Sequence, residues 1–229
     1  MMDTHFQFPT VDDINSSMVR VYNHMASGVA ISGAVSWIIS QNLELMAILF
    51  KTWLMWPVIL LPLGFVLVMS IGAEKLSAKT LGVLFYLYSV ASGASLATIF
   101  AIYTTDSLIT AFFVSSGLFL SMSAYGYFTK RSLESFGQFL IVGLIGICLA
   151  GIVNIFLQNS MMQMLISILA VIIFTGLTAY DTQRIRIQIY SGEGDYDKAE
   201  IMGALTLYLD FVNIFIHLLQ IFGHRKSDD

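Results

Sequence analysis

The sequence predicts an all-α membrane protein in which seven helices cross the bilayer as one domain. Three observations carry this reading. Of 229 residues, 57% are hydrophobic and only 11% charged, with a mean hydropathy of +0.78, whereas soluble domains carry about 25% charged residues. A window of about 19 residues finds seven apolar runs. The connections between them are short, with no linker or low-complexity stretch.

The runs are approximately His24–Asn42, Trp53–Gly72, Thr80–Tyr103, Ser107–Phe128, Ser135–Leu157, Met162–Gln183 and Ile201–Phe222. Residues 1–23 form a polar arm carrying Asp3, Asp12 and Asp13, without the basic start and apolar core of a signal peptide. Residues 24–223 form the seven-helix domain, and 224–229 a short tail. The net charge of −4 gives no reason to expect nucleic acid as a partner. Cys148 is the sole cysteine, which excludes an intramolecular disulfide and a cysteine metal cluster.

Lysine and arginine set the orientation. Arg20, Lys75, Lys79, Lys130, Arg131, Arg184, Arg186 and Lys198 fall on the side of the N-terminal arm, against Lys51, Arg225 and Lys226 on the other. This places the N-terminus in the cytoplasm and the C-terminus outside, unless one run is re-entrant. The short loops suit a bacterial inner membrane. Pro57 and Pro62 remove backbone donors in the second run and predict a kink there. Gly82, Gly93, Gly117, Gly143, Gly146, Gly151 and Gly176 predict close helix contacts.

Two aspartates stand out within these apolar runs. A carboxylate at the centre of a membrane helix costs roughly 2.5–3.5 kcal/mol on insertion scales, so it usually faces a partner or a water path. Stepping 100° per residue from Asp210 puts Gly203, Thr206, Asp210, Asn213, His217 and Gln220 within an arc of roughly 100°. Tyr208, Phe211, Phe215, Leu219 and Phe222 lie opposite. This polar face is expected to point into the bundle. Hydrogen-bonded glue between helices suffices for Asn213 and Gln220, and His217 reads as a packing residue rather than a metal ligand. A carboxylate is a costly choice for glue, which marks Asp210 as functional. Asp181 has two readings, a functional one and an ion pair with Arg184 three residues on.

The midpoint between 181 and 210 falls in the turn Ser191-Gly-Glu-Gly-Asp-Tyr-Asp197, so antiparallel helices joined there bring both carboxylates to similar depth. Two facing carboxylates at low dielectric repel, which favours a pair sharing one proton. Such a pair could sense pH or hold a cation. Calcium takes oxygen ligands, and weak calcium binding at Asp181 and Asp210 is the limit of what these residues suggest. No other cofactor is expected.

Ala204-Leu-Thr-Leu-Tyr-Leu-Asp-Phe-Val-Asn-Ile-Phe215, closing in Leu218-Leu-Gln-Ile-Phe-Gly223, resembles the last-helix signature of the Bax-inhibitor family. Thr178-Ala-Tyr-Asp-Thr-Gln-Arg-Ile185 resembles its sixth-helix signature, and Phe85–Gly93 and Gly151–Phe156 resemble further stretches. The resemblance implies six helices around a central polar last helix, and a pH-sensitive calcium leak with Asp181 and Asp210 as the proton-sharing pair. Some members latch an aspartate with an arginine near the start of the third helix. Here that region reads Glu74-Lys-Leu-Ser-Ala-Lys79, leaving Lys75 or Lys79 as basic substitutes without the bidentate fork.

The expected partners are the lipid bilayer, protons and calcium ions. A non-conducting regulator that binds another membrane protein, in stress response or protease control, is the competing reading. An enzyme is not expected. Intramembrane aspartyl proteases carry Gly-x-Gly-Asp where this chain has Leu207-Tyr-Leu-Asp210, and a retinal pump needs a lysine that the last run lacks.

Overall fold

The computed structural model describes residues 10–191 and 195–226, and these form eight helices. They are α1 (Val11–Ser40), α2 (Leu43–Phe50), α3 (Met55–Gly72), α4 (Ala78–Ile102), α5 (Thr105–Phe128), α6 (Glu134–Leu157), α7 (Ser160–Ser191) and α8 (Tyr196–Phe222). Helices α3 to α8 are each long and apolar enough to cross a membrane. Helix α1 is diluted by serines and glycines and passes only together with α2, from which it is bent by 103°. The described residues therefore offer six candidate spans, or seven if the bent pair counts as one.

Several elements outrun their apolar windows. Helix α1 starts at Val11 because Thr10 and Asp13 form a reciprocal cap. The Asp13 amide donates to Thr10 Oγ1 at 3.2 Å and the Thr10 amide to Asp13 Oδ2 at 2.9 Å. Most of the supposed N-terminal arm is thus helical, while residues 1–9 lie outside the described residues. Asn42 caps the short α2 through Leu45 N at 2.9 Å. Helix α7 continues past Gln183 to Ser191, burying Ile185 and Ile189 while Arg184 stays exposed. Asp195 caps α8 by accepting from the Asp197 amide at 3.0 Å. Residues 192–194 of the expected turn lie outside the described residues.

The two prolines act differently. Pro57 is the third residue of α3, where its missing N–H had no intrahelical partner to lose. Pro62 is interior and leaves the carbonyl of Val58 without its usual donor. Ser95 Oγ on α4 donates to that carbonyl. A neighbouring hydroxyl thus meets the need that the proline creates.

Helix α8 is the centre, packed by α1, α4, α5 and α7, with α3 outside against α4 and α6 outside against α7. Its supposed far side is also core: Tyr208, Phe211, Phe215 and Leu219 are buried. Helix α1 runs parallel to it, with Arg20 beside Glu200 and Ser32 beside Tyr208. At the other end, Thr104 N donates to His224 O at 3.0 Å and Lys226 N to Ile102 O at 2.9 Å, stitching the C-terminal segment to the α4–α5 connection. The first and last described residues therefore lie at opposite ends of the bundle.

Glycines allow the closest approaches, although not all of those expected. A Cβ at Gly126 would lie 2.1 Å from the carbonyl oxygen of Ala179, so α5 and α7 touch through backbone. Gly93 lies equally bare against the Ser32 backbone of α1. Gly117, Gly146 and Gly151 face no atom within 4 Å, which corrects the contact expected of them.

Candidate functional site: a buried carboxylate pair

Helices α7 and α8 carry the site. They form the most extensive helix pair of the bundle, and their antiparallel course from the Ser191–Asp195 connection sets Asp181 opposite Asp210. The two carboxyl groups lie within hydrogen-bonding reach of each other. Asp210 is 3% exposed and Asp181 half-buried. Among the described residues no donor reaches Asp210 Oδ2. Two carboxylates bond to each other only if one carries a hydrogen, so the contact itself calls for a proton or a cation between them.

The ion pair envisaged between Asp181 and Arg184 does not form. Arg184 is exposed, and the ion pair found among the described residues is Arg20–Glu200. Lys75 and Lys79 are also exposed, in and just after the α3–α4 connection, and neither reaches an aspartate within ion-pair distance. Lys198 Nζ instead donates to Glu74 O in that connection at 3.2 Å. Asp210 lies a dozen residues further along α8, about 18 Å along its axis. A lysine latch is not made in this arrangement.

The polar arc of α8 grades from core to surface. Thr206 and Asn213 are half-buried and donate to their own helix, at Met202 O (3.1 Å) and Leu209 O (2.8 Å). His217 stacks on Phe174 with ring centroids 6.5 Å apart and the planes at 17°. Its Nδ1 lies 3.1 Å from Gln220 Oε1. Gln220 is exposed, and its Oε1 accepts from Ser167 Oγ at 2.7 Å and from Gln163 Nε2 at 3.0 Å. Asn154 of α6 donates to Gln163 Oε1 at 3.1 Å. Gln220 and His217 thus join α8 to α7, and Gln163 extends the network to α6, whereas the bond that Asn213 makes stays within its own helix. Among the described residues no group of three or more His, Cys, Asp or Glu side chains gathers to hold a metal ion.

Three features around the site were not anticipated from the sequence. Arg20 grips Glu200 with two bonds, Nη2 to Oε1 at 2.7 Å and Nε to Oε2 at 2.8 Å. The hydrogen bond to Glu200 pushes the Arg20 guanidinium further up from its ordinary value. Tyr208, buried two residues before Asp210, shares its hydroxyl with Ser32 (2.7 Å) and Ser92 (2.8 Å), joining α1, α4 and α8. Thr182, next to Asp181, meets Ser123 at 3.0 Å, and Ser123 meets Tyr22 at 2.6 Å, joining α7, α5 and α1. The relays start from residues close in sequence to the aspartates, although Tyr208 leaves α8 on the face opposite Asp210, and both reach α1.

The family of inhibitors of apoptosis-promoting Bax1 matches residues 14–227. The chain is 40% identical to the inner membrane protein YbhL of Escherichia coli K12, over 96% of this chain and 99% of that one. It is 39% identical to a protein of Borreliella burgdorferi, over 93% and 94% of the two chains. It is 36% identical to protein RP147 of Rickettsia prowazekii, over 92% and 90%. With its helical bundle, its central α8 and this match across nearly its full length, the chain belongs to the Bax-inhibitor family.

Proposed function

We propose that the protein is a pH-sensitive cation leak of the inner membrane, with calcium as the permeant ion and Asp181 and Asp210 as the controlling pair. The observation that carries this is Asp210: a carboxylate buried at the centre of an apolar helix, against a second carboxylate, with one oxygen that no protein group satisfies. A structural role would be met by an amide at lower cost. With one proton the pair carries a single negative charge and a hydrogen bond between the carboxyl groups that holds α7 to α8. Without it two negative charges repel in a low-dielectric site, unless a cation takes the proton's place. Protonation thus changes the α7–α8 contact along which the half-buried polar arc lies.

The N-terminus is cytoplasmic on this reading, with the lysine- and arginine-rich end of the bundle inside. That YbhL is an inner membrane protein supports the location. No catalytic chemistry is assigned to the pair. The test is calcium flux into dye-loaded liposomes between pH 6 and 8, for the wild type, Asp181→Asn and Asp210→Asn. The wild type should leak in a pH-dependent way, and each substitution should remove the pH dependence. A leak indifferent to both substitutions would refute the role of the pair. Absence of flux at every pH would move the function to a non-conducting regulator of another membrane protein.

A further inference from the structure

The bundle is not closed on one side. Helix α1 packs on α4, α7 and α8, and α5 packs on α7 and α8, which leaves a lateral gap between α1 and α5. The gap holds an apolar cavity of about 480 Å³, lined by Val29, Gly33, Phe112, Phe119 and Phe211. A second cavity, of about 300 Å³, continues it past Phe112 to the end of the bundle that holds Lys226. There the lining turns polar, with Ser40, Gln41, Thr105 and Lys226. At the other end the hydrogen bond between Tyr22 and Ser123 bridges α1 to α5, and a further apolar cavity of about 410 Å³ lies beyond it, lined by Met18, Leu120 and Tyr127. From Tyr22 to Trp37 the groove follows α1 for about 22 Å. One leaflet of hydrocarbon is roughly 15 Å deep, half of the ~30 Å core.

We propose that this groove is a phospholipid site: one acyl chain lies between α1 and α5, and the phosphate rests on Lys226. A gap that opens sideways from membrane-spanning helices meets lipid tails rather than water, and its length accommodates a tail from the adjoining leaflet. Dispersion contacts with the aromatic rings favour a chain held there over one free in the bilayer, since both environments are equally apolar. Lys226 supplies the complementary charge. Its ammonium is exposed and donates to Phe100 O at 3.0 Å, which leaves two of its three N–H groups for a phosphate oxygen. The groove thus has a tail slot, a polar mouth and a cation at that mouth. The bound lipid completes the α1–α5 wall, beside the Tyr22–Ser123–Thr182 relay that ends next to Asp181.

Gly33 provides a clean test, because a Cβ there meets nothing within 4 Å. Gly33→Leu therefore fills the slot without displacing protein atoms. The full chain is reconstituted in nanodiscs of phosphatidylethanolamine with a minor share of phosphatidylglycerol, then released into mild detergent and weighed by native mass spectrometry. The wild type should retain a single phospholipid. Gly33→Leu should lose it with the thermal midpoint in detergent unchanged, and Lys226→Gln should retain it more weakly. A retained lipid insensitive to Gly33→Leu would place it elsewhere and overturn the assignment. So would a wild type that keeps no lipid, or one that closes the gap by pairing with a second copy. If Gly33→Leu lowers the thermal midpoint, Ala30→Leu on the same wall replaces it, and the same outcomes decide.

Discussion

Breaking the Arg20–Glu200 pair should be costly in one direction and mild in the other. The carboxylate belongs to a residue that is 2% exposed, while half of the Arg20 side chain reaches solvent. Removing the arginine (Arg20→Ala) strands a desolvated charge at the start of α8. Two charge-assisted bonds go with it, at 2.7 and 2.8 Å. Breaking a fully buried pair costs about 3–5 kcal/mol, and the exposure of Arg20 screens part of this. A loss of about 2–3 kcal/mol follows for Arg20→Ala. Glu200→Gln leaves Arg20 an amide oxygen to bond and water for the rest, and should cost about 1 kcal/mol. Arg20→Lys keeps the charge but cannot engage both carboxylate oxygens, so it should fall between. Denaturant titration in detergent micelles, followed by far-UV circular dichroism, measures all three, and the double substitution supplies the coupling. If Arg20→Ala costs no more than Glu200→Gln, the buried carboxylate is not what the arginine supports, and the reasoning fails.

Other consequences follow from single contacts. Ser95→Ala should destabilise by about 1 kcal/mol by orphaning the Val58 carbonyl. It should cost little in a Pro62→Ala background, where the helix supplies its own donor; equal costs in both backgrounds would break the link between Ser95 and Pro62. Gly126→Ala inserts a methyl 2.1 Å from the Ala179 carbonyl and should lower stability by about 1–3 kcal/mol through forced separation of α5 and α7; an unchanged unfolding midpoint contradicts that contact. Hydrogen bonds from the Thr10 side chain and backbone hold the Asp13 carboxyl below its ordinary value of 3.8. Its contribution to the α1 cap is therefore present above that pH and lost as the pH falls through the lowered value. Amide exchange of residues 11–16 should accelerate there in the wild type but show no such step in Asp13→Ala.

Much of the molecule was legible because bilayer insertion is decided locally. The run from Trp53 to Gly72 and the three that follow it each satisfy their own backbone within the bilayer, so hydropathy located them to within a few residues. The depth of Asp181 and Asp210 was legible for a related reason: a short connection between antiparallel helices converts equal sequence distance into equal depth. Hydropathy failed where a helix is polar or short. It missed the capped start of α1, the eight-residue α2, and the end of α7 beyond Gln183, where burial of Ile185 and Ile189 outweighs the exposed Arg184.

The tertiary structure alone decided which polar groups meet. Arg20 and Glu200 lie 180 residues apart, and nothing in either local segment marks the other as its partner. Tyr208, on the face of α8 read as apolar, proved to be fully buried with its hydroxyl tied to Ser32 and Ser92. A helical arc gives the direction a side chain leaves its own axis, whereas its partner depends on how the other helices rotate and approach. The sequence by itself determined six apolar helices long enough to span, the matching depth of the two carboxylates and the cost of placing them there, since each depends on one or two neighbouring segments and their solvent. Only packing decided that Asp210 faces Asp181 with no donor among the described residues on its Oδ2, that the Arg184 pair does not form, and that α1 and α5 part beyond the Tyr22–Ser123 contact. Those outcomes are set by contacts between segments distant in sequence.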